Sequence, residues 1–191
     1  MTGAVSNGGD NLLGFIMLYL VFSNSYGYFA VKSRFFALPE KVDNLLTNLS
    51  CFSIMAHLCL VYFFSAMGKI NTSEWYKGVA LYYTLVSERF GGTPFNVAMV
   101  KNAYLTALGT YFALLFQMAF PFLIWTRRMR TPLVIAGIGM HLSIYALMMI
   151  HDFAILFVFV YGLFFTNAEI MGLYNRIKGL FLLKKNVQHA L

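Results

Sequence analysis

"PLVIAGIGMHLSIYALMMIHDFAILFVFVYGLFF", residues 132–165, is a run of 34 almost uninterrupted apolar residues. As one helix it would be about 50 Å long, against a bilayer hydrocarbon core of about 30 Å. A single crossing cannot use it. Ionisable side chains gather at one place, His151 and Asp152 within "IHDF". The run therefore predicts two spans meeting at that corner, 132–151 and 152–174. Working outward, three more apolar runs lie at 11–31, 44–68 and 99–125. Between the second and third sits an amphipathic segment, 72–90. The expected fold is all-α integral membrane, a bundle of about five transmembrane helices plus one interfacial or re-entrant helix, in a single domain over 1–191.

Charge placement agrees with five spans. With that count, Lys32, Arg34, Lys41, Arg127, Arg128, Arg130, Arg176, Lys178, Lys184 and Lys185 fall on one side. Only Lys69, Lys77, Arg89 and Lys101 fall on the other, ten against four. Basic residues are retained on the cytoplasmic face. The expected location is the cell membrane, multi-pass, with the N-terminus outside and the C-terminus cytoplasmic. Merging 132–165 into one span would send the tail across and weaken the asymmetry.

Composition excludes the soluble classes. Of 191 residues, 60% are hydrophobic and 11% charged, where soluble domains carry about a quarter charged. The runs are continuous, not the short alternating strands of a membrane barrel. The net charge of +7 sits in short connections that orient helices, so nucleic acid is not an expected partner. Cys51 and Cys59 are eight residues apart in one run, about 12 Å along a helix and too far to pair. The opening "MTGAVSNGGD" lacks the basic start of a cleavable signal peptide, so none is expected.

Within the first span Ser23, Asn24, Ser25 and Gly27 are too polar for lipid and are expected against other helices. The 72–90 segment carries Trp75, Tyr76, Tyr82 and Tyr83 at expected headgroup depth and ends at the "GGTPF" breaker, 91–95. Gln117 and Pro121 stand late in the third span, as packing and kink residues.

Chemistry is concentrated in "YFFSAMGKINTSEWYKG", 62–78. There Lys69 ends an oily helix and is followed by Glu74 and Trp75. The topology puts it on the same side as the "IHDF" corner. His141 lies near mid-membrane, and His141, Tyr145, Met148 and Asp152 follow the spacing of one helical stripe. Ionisable groups at such depth face a bundle interior or a wet cavity. A polar seam from His141 to the rim at Lys69 is thus a candidate site, with Lys69, His141 and Asp152 catalytic and Glu74, Trp75 and Tyr145 binding substrate. Each also has a structural reading: a snorkelling lysine, an interhelical histidine (which is preferred for His57), a helix-capping aspartate, an aromatic belt. No spacing of metal ligands, no phosphate loop and no nucleophile elbow occurs.

"YFFSAMGKINTSEWYKGVALYYTL", "FQMAFPFLIWTRRMR" and "GMHLSIYALMMIHDF" resemble the HTTM family, the membrane domain shared with vitamin K-dependent gamma-carboxylase, nearest its bacterial sporulation-delaying protein B-like branch. "GGDNLLGFIMLYLVF" resembles the segment preceding these, so the likeness covers most of the chain. By that resemblance Lys69 matches the catalytic base, His141 matches an active-site histidine, and the site opens on the extracytoplasmic side. A quinone or vitamin K-like lipid is the implied cofactor; the residues themselves name none. The chain departs from the carboxylase in having one lysine where a pair is usual, with one more residue before the tryptophan. It also lacks the large lumenal domain and starts late in the family pattern. Glutamate carboxylation is not expected. The resemblance implies maturation or export of a small secreted antimicrobial peptide, with membrane lipids and other membrane or secreted subunits as partners. The alternatives are a non-catalytic membrane subunit of a larger complex, or a DoxX-like quinone-binding or transport subunit.

Overall fold

The computed structural model describes residues 8–24, 38–90, 93–172, 174–175 and 178–179. Among them every regular element is helical: α1 Gly8–Leu20, α2 Glu40–Ile70, α3 Ser73–Tyr76, α4 Ala80–Val86, α5 Pro94–Val100, α6 Ala103–Leu123, α7 Arg127–Met148 and α8 His151–Tyr161, which runs into a 3-10 turn, Gly162–Phe164.

Three of these, α2, α6 and α7, are long and apolar enough to cross a membrane. Two apolar segments, Asp10–Leu20 and His151–Phe164, are shorter than a crossing. The expected first span continues into 25–31, outside the described residues, as do Ser25 and Gly27. Ser23 is buried, and Asn24 bonds Thr47 at 2.9 Å and Asp43 at 2.6 Å, so this polar end does face α2. The expected fifth span, 152–174, is interrupted: the 3-10 turn ends at Phe164 and Phe165 is extended. The next turn opens with a capping box. The Thr166 amide donates to Glu169 at 2.8 Å and the Glu169 amide donates to the Thr166 hydroxyl at 3.3 Å.

The 132–165 run breaks close to where its length required. α7 ends at Met148, and Met149 takes a left-handed conformation (φ 57°) before α8 begins. Two other expectations need correcting. The third span does not start at Met99, because Met99 belongs to the separate helix α5. Asn102 then turns the chain and caps α6, accepting from the Tyr104 and Leu105 amides at 3.1 and 3.2 Å. The 72–90 segment is not one interfacial helix. It is α3 and α4, hinged at Gly78 (φ 73°), where the Tyr111 ring packs so close that a Cβ would meet it at 2.8 Å.

α2 has 31 residues, about 46 Å, and carries Glu40 and Asp43 in its first turn and Lys69 in its last, each favourable to the helix dipole. It packs along α6, while α7 packs on α8 and α1 lies across α2 and α8. The core where these meet is aromatic. Tyr62, Phe120, Phe157 and Tyr161 are among the largest fully buried side chains, with Tyr62 edge-on to Phe116 and Phe120. In lipid such interlocked packing, not escape from water, holds helices together. At one end of the bundle Trp125 packs against Phe52 and Phe164. There Arg130 pairs with Glu169 and donates to the Phe164 carbonyl at 3.0 Å. The other end carries Lys69, α3, α4 and α5.

Candidate functional site

At that second end the helices splay around a cavity of about 680 Å³. α2 lines it with Tyr62, Ser65 and Lys69, the i, i+3, i+7 face of one helix. α6 contributes Gly109, Ala113 and Gln117 at four-residue steps, and α7 contributes His141 and Met148. The short helices form its upper wall, held by buried polar anchors. The Leu81 amide donates to the Thr110 hydroxyl at 3.0 Å, fixing α4 to α6. The Asn96 amide group donates to the carbonyls of Leu85 at 3.0 Å, Phe90 at 2.9 Å and Leu147 at 3.4 Å. One buried asparagine thus ties α4, α5 and α7 together.

Lys69 reaches into this cavity. Its ammonium donates to the Ser65 hydroxyl and lies 5.1 Å from the centre of the Trp75 ring. Among the described residues it pairs with no carboxylate. An amine half-enclosed by apolar walls and steadied by the Ser65 hydroxyl, the Ser65 carbonyl at 3.4 Å and an aromatic face, with no such opposite charge, is poorly compensated as a cation, a condition under which lysine acts as a base.

His141 is 1% exposed. Its Nε2 is 2.8 Å from the Tyr62 hydroxyl, which also bonds the Tyr161 hydroxyl. Phe157 stacks on the imidazole at 4.2 Å. Tyr161 reaches this position because α7 carries Gly137 one turn before His141: a Cβ there would lie 2.5 Å from the Tyr161 hydroxyl. Two buried polar atoms of the cavity-lining residues have no protein partner among the described residues, His141 Nδ1 and Gln117 Oε1.

Lys69, Trp75 and His141, picked from separate stretches of sequence, therefore line one cavity. The other three candidates lie elsewhere. Glu74, the chain neighbour of Trp75, is exposed and accepts from Ser73 at 2.9 Å. That hydrogen bond and its backbone, with the backbone contribution larger, hold its carboxyl below the usual range. Tyr145 points outward, edge-on to His151 at 4.6 Å. Asp152 lines a separate cleft of about 470 Å³ with Arg89, Phe90 and His151. The single stripe from His141 to Asp152 assumed one continuous helix; the left-handed Met149 rotates Asp152 away. His57 also stands apart, bonding Tyr19 of α1 at 3.3 Å. Tyr62, Tyr161, Ser65 and the orphaned Gln117 oxygen are the site features that sequence reading missed. Among the described residues no group of three or more His, Cys, Asp or Glu is placed to hold a metal.

The family model for the HTTM domain matches residues 9–168. No curated protein and no solved structure matches the chain.

Proposed function

This chain belongs to the HTTM family of carboxylase-like membrane proteins, and we propose that its cavity is a site for an apolar, lipid-soluble molecule on which the Lys69 amine acts as a base. The observation that carries the reading is the shared cavity: one amine without a carboxylate partner among the described residues and one buried imidazole, at different depths of a mostly apolar chamber. Tyr62, which holds His141, is seven residues before Lys69, about 10 Å along the α2 axis. A ring-bearing molecule such as a quinone or a vitamin K-like lipid has that length. Trp75 and Ser65 position the amine, and the apolar walls exclude water from it.

The wider role we propose is assistance in maturing or exporting a small secreted peptide, as in the sporulation-delaying protein B-like branch that the quoted motifs resemble. The cavity mouth faces away from the cytoplasm, a placement supported by the ten-to-four partition of basic residues. The test replaces Lys69 by Met, keeping length and apolar bulk, and measures membrane assembly and peptide production together. The expected result is normal assembly with product reduced more than about tenfold. Undiminished product would leave Lys69 a snorkelling residue, and lost assembly with product tracking it would favour a non-catalytic subunit.

A further inference from the structure

We propose that the deep end of the cavity is a subsite for a ligand oxygen, in which His141 donates from Nδ1–H and Tyr62 and Tyr161 are positioning residues that fix this tautomer. The proposal rests on reading the cavity as a ligand site and adds what the ligand must carry.

Three side chains share two hydrogen bonds: Tyr161 with Tyr62, and Tyr62 with His141 Nε2. Their protons can run in two directions. If Tyr161 donates to Tyr62 and Tyr62 donates to Nε2, a single group is left over, the Nδ1–H. In the reverse order Nε2–H donates to Tyr62 and Tyr62 donates to Tyr161. That strands both the Tyr161 proton and the Nδ1 lone pair. A buried polar group without a partner loses more than a made bond returns. The first direction therefore prevails. A protonated imidazole is disfavoured as well, since the rings of Tyr62, Phe153, Phe157 and Tyr161 surround it and no carboxylate among the described residues pairs with it.

Nδ1 is the ring nitrogen that lacks a protein partner, on a side chain 1% exposed that lines the cavity. As a donor it calls for an acceptor: a carbonyl, or the oxyanion that forms when a base removes a proton elsewhere in the molecule. A neutral imidazole donating to a developing oxyanion is a known electrophilic device. Gln117, another residue of the cavity lining, carries the complementary orphan among the described residues, the acceptor Oε1. The occupant is therefore a mainly apolar molecule with a carbonyl-type oxygen for His141 and a hydroxyl or amide donor for Gln117. Lys69 and His141 divide the work: the amine takes the proton and the imidazole holds the oxygen.

The full chain is labelled with 15N-histidine in lipid nanodiscs, and the His141 signals are identified by their loss in His141→Phe. Wild type should show a protonated Nδ1 and a bare Nε2. Tyr62→Phe should move the proton to Nε2 in a substantial fraction of molecules, whereas Tyr161→Phe, which leaves Tyr62 donating to Nε2, should leave it on Nδ1. Titration with 2-acetylnaphthalene should shift the Nδ1–H resonance. Its near-isostere 2-isopropenylnaphthalene, with C=CH2 for C=O, should bind about tenfold more weakly or worse. That preference should shrink in Tyr62→Phe. A wild-type imidazole protonated at Nε2, or equal affinity for the two naphthalenes, overturns the proposal. Both readings need only the wild type, so the proposal is decided even if Tyr62→Phe fails to fold. The tautomer is read without any peptide assay, so inactive and active outcomes for Lys69→Met leave this result separately decided.

Discussion

Gly137 shows how one missing methyl group builds the site. It sits on the α7 face against Tyr161, and a Cβ would fall 2.5 Å from that hydroxyl and 2.6 Å from the ring carbon bearing it. Both atoms belong to a ring fully enclosed by the core, so the neighbour cannot swing aside. Gly137→Ala should cost about 1–3 kcal/mol through overpacking and should pull Tyr161 off Tyr62. Gly139, two residues on, has nothing within 4 Å of its Cβ position. Gly139→Ala should be neutral or stabilise by about 0.5–1 kcal/mol, because alanine restricts the helix less than glycine does. Thermal unfolding of the two variants in one detergent checks the contrast. Equal melting temperatures would mean that Tyr161 is not held where its contacts place it.

Elements were legible where length and caps decide them, and illegible where tertiary contact does. The corner at Met149 follows from a run too long for one bilayer crossing. The break between α5 and α6 was missed because "NVAMVKNAYL" contains no Gly or Pro and only Asn102, an N-cap, marks it. Tyr62 and Tyr161 are 99 residues apart, and in sequence each is one more core aromatic; only the packing of α2 against α7 and α8 makes them partners. Lys69 and His141 could be singled out because ionisable groups are rare in apolar runs. Asp152 was mis-seated because a stripe was carried through a turn. The end of the α8 segment was likewise unforeseen, although "TNAE", residues 166–169, spells a capping box. That box makes a pH prediction. The Glu169 carboxyl is held below its usual 4.5 by the Thr166 amide first, then the Thr166 hydroxyl and Arg130. A depressed folded value means the stabilisation is complete above about 4.5 and is lost as pH falls through the lower folded value. Wild type should therefore lose melting temperature on acidification below that point. Glu169→Gln should start lower at neutral pH and lose less, and Thr166→Ala should weaken the same helix start by about 1 kcal/mol. Parallel slopes for wild type and Glu169→Gln would remove the box from the stability of this end.

On the scale of the whole molecule, the large cavity lies toward one end and the aromatic contacts of Trp125 at the other. There Trp125 meets Phe52 and Phe164, with Arg130 and Glu169 beside them. The open end is the cavity with Lys69 at its rim. α6 is the element between Thr72 and Met129 that is long enough to cross the bilayer, so these two exposed positions should lie on opposite faces. With Cys51→Ala and Cys59→Ala removing the native thiols, Thr72→Cys should react with a membrane-impermeant maleimide on intact cells. Met129→Cys should react only after permeabilisation. The reverse pattern would keep the fold but turn the cavity toward the cytosol, where a secreted peptide would have to be handled before export. Labelling of both from outside would mean α6 does not cross at all. The splay of α3, α4 and α5 over the cavity would then be an aqueous surface, and the low-dielectric setting on which the proposed base chemistry of Lys69 depends would be gone.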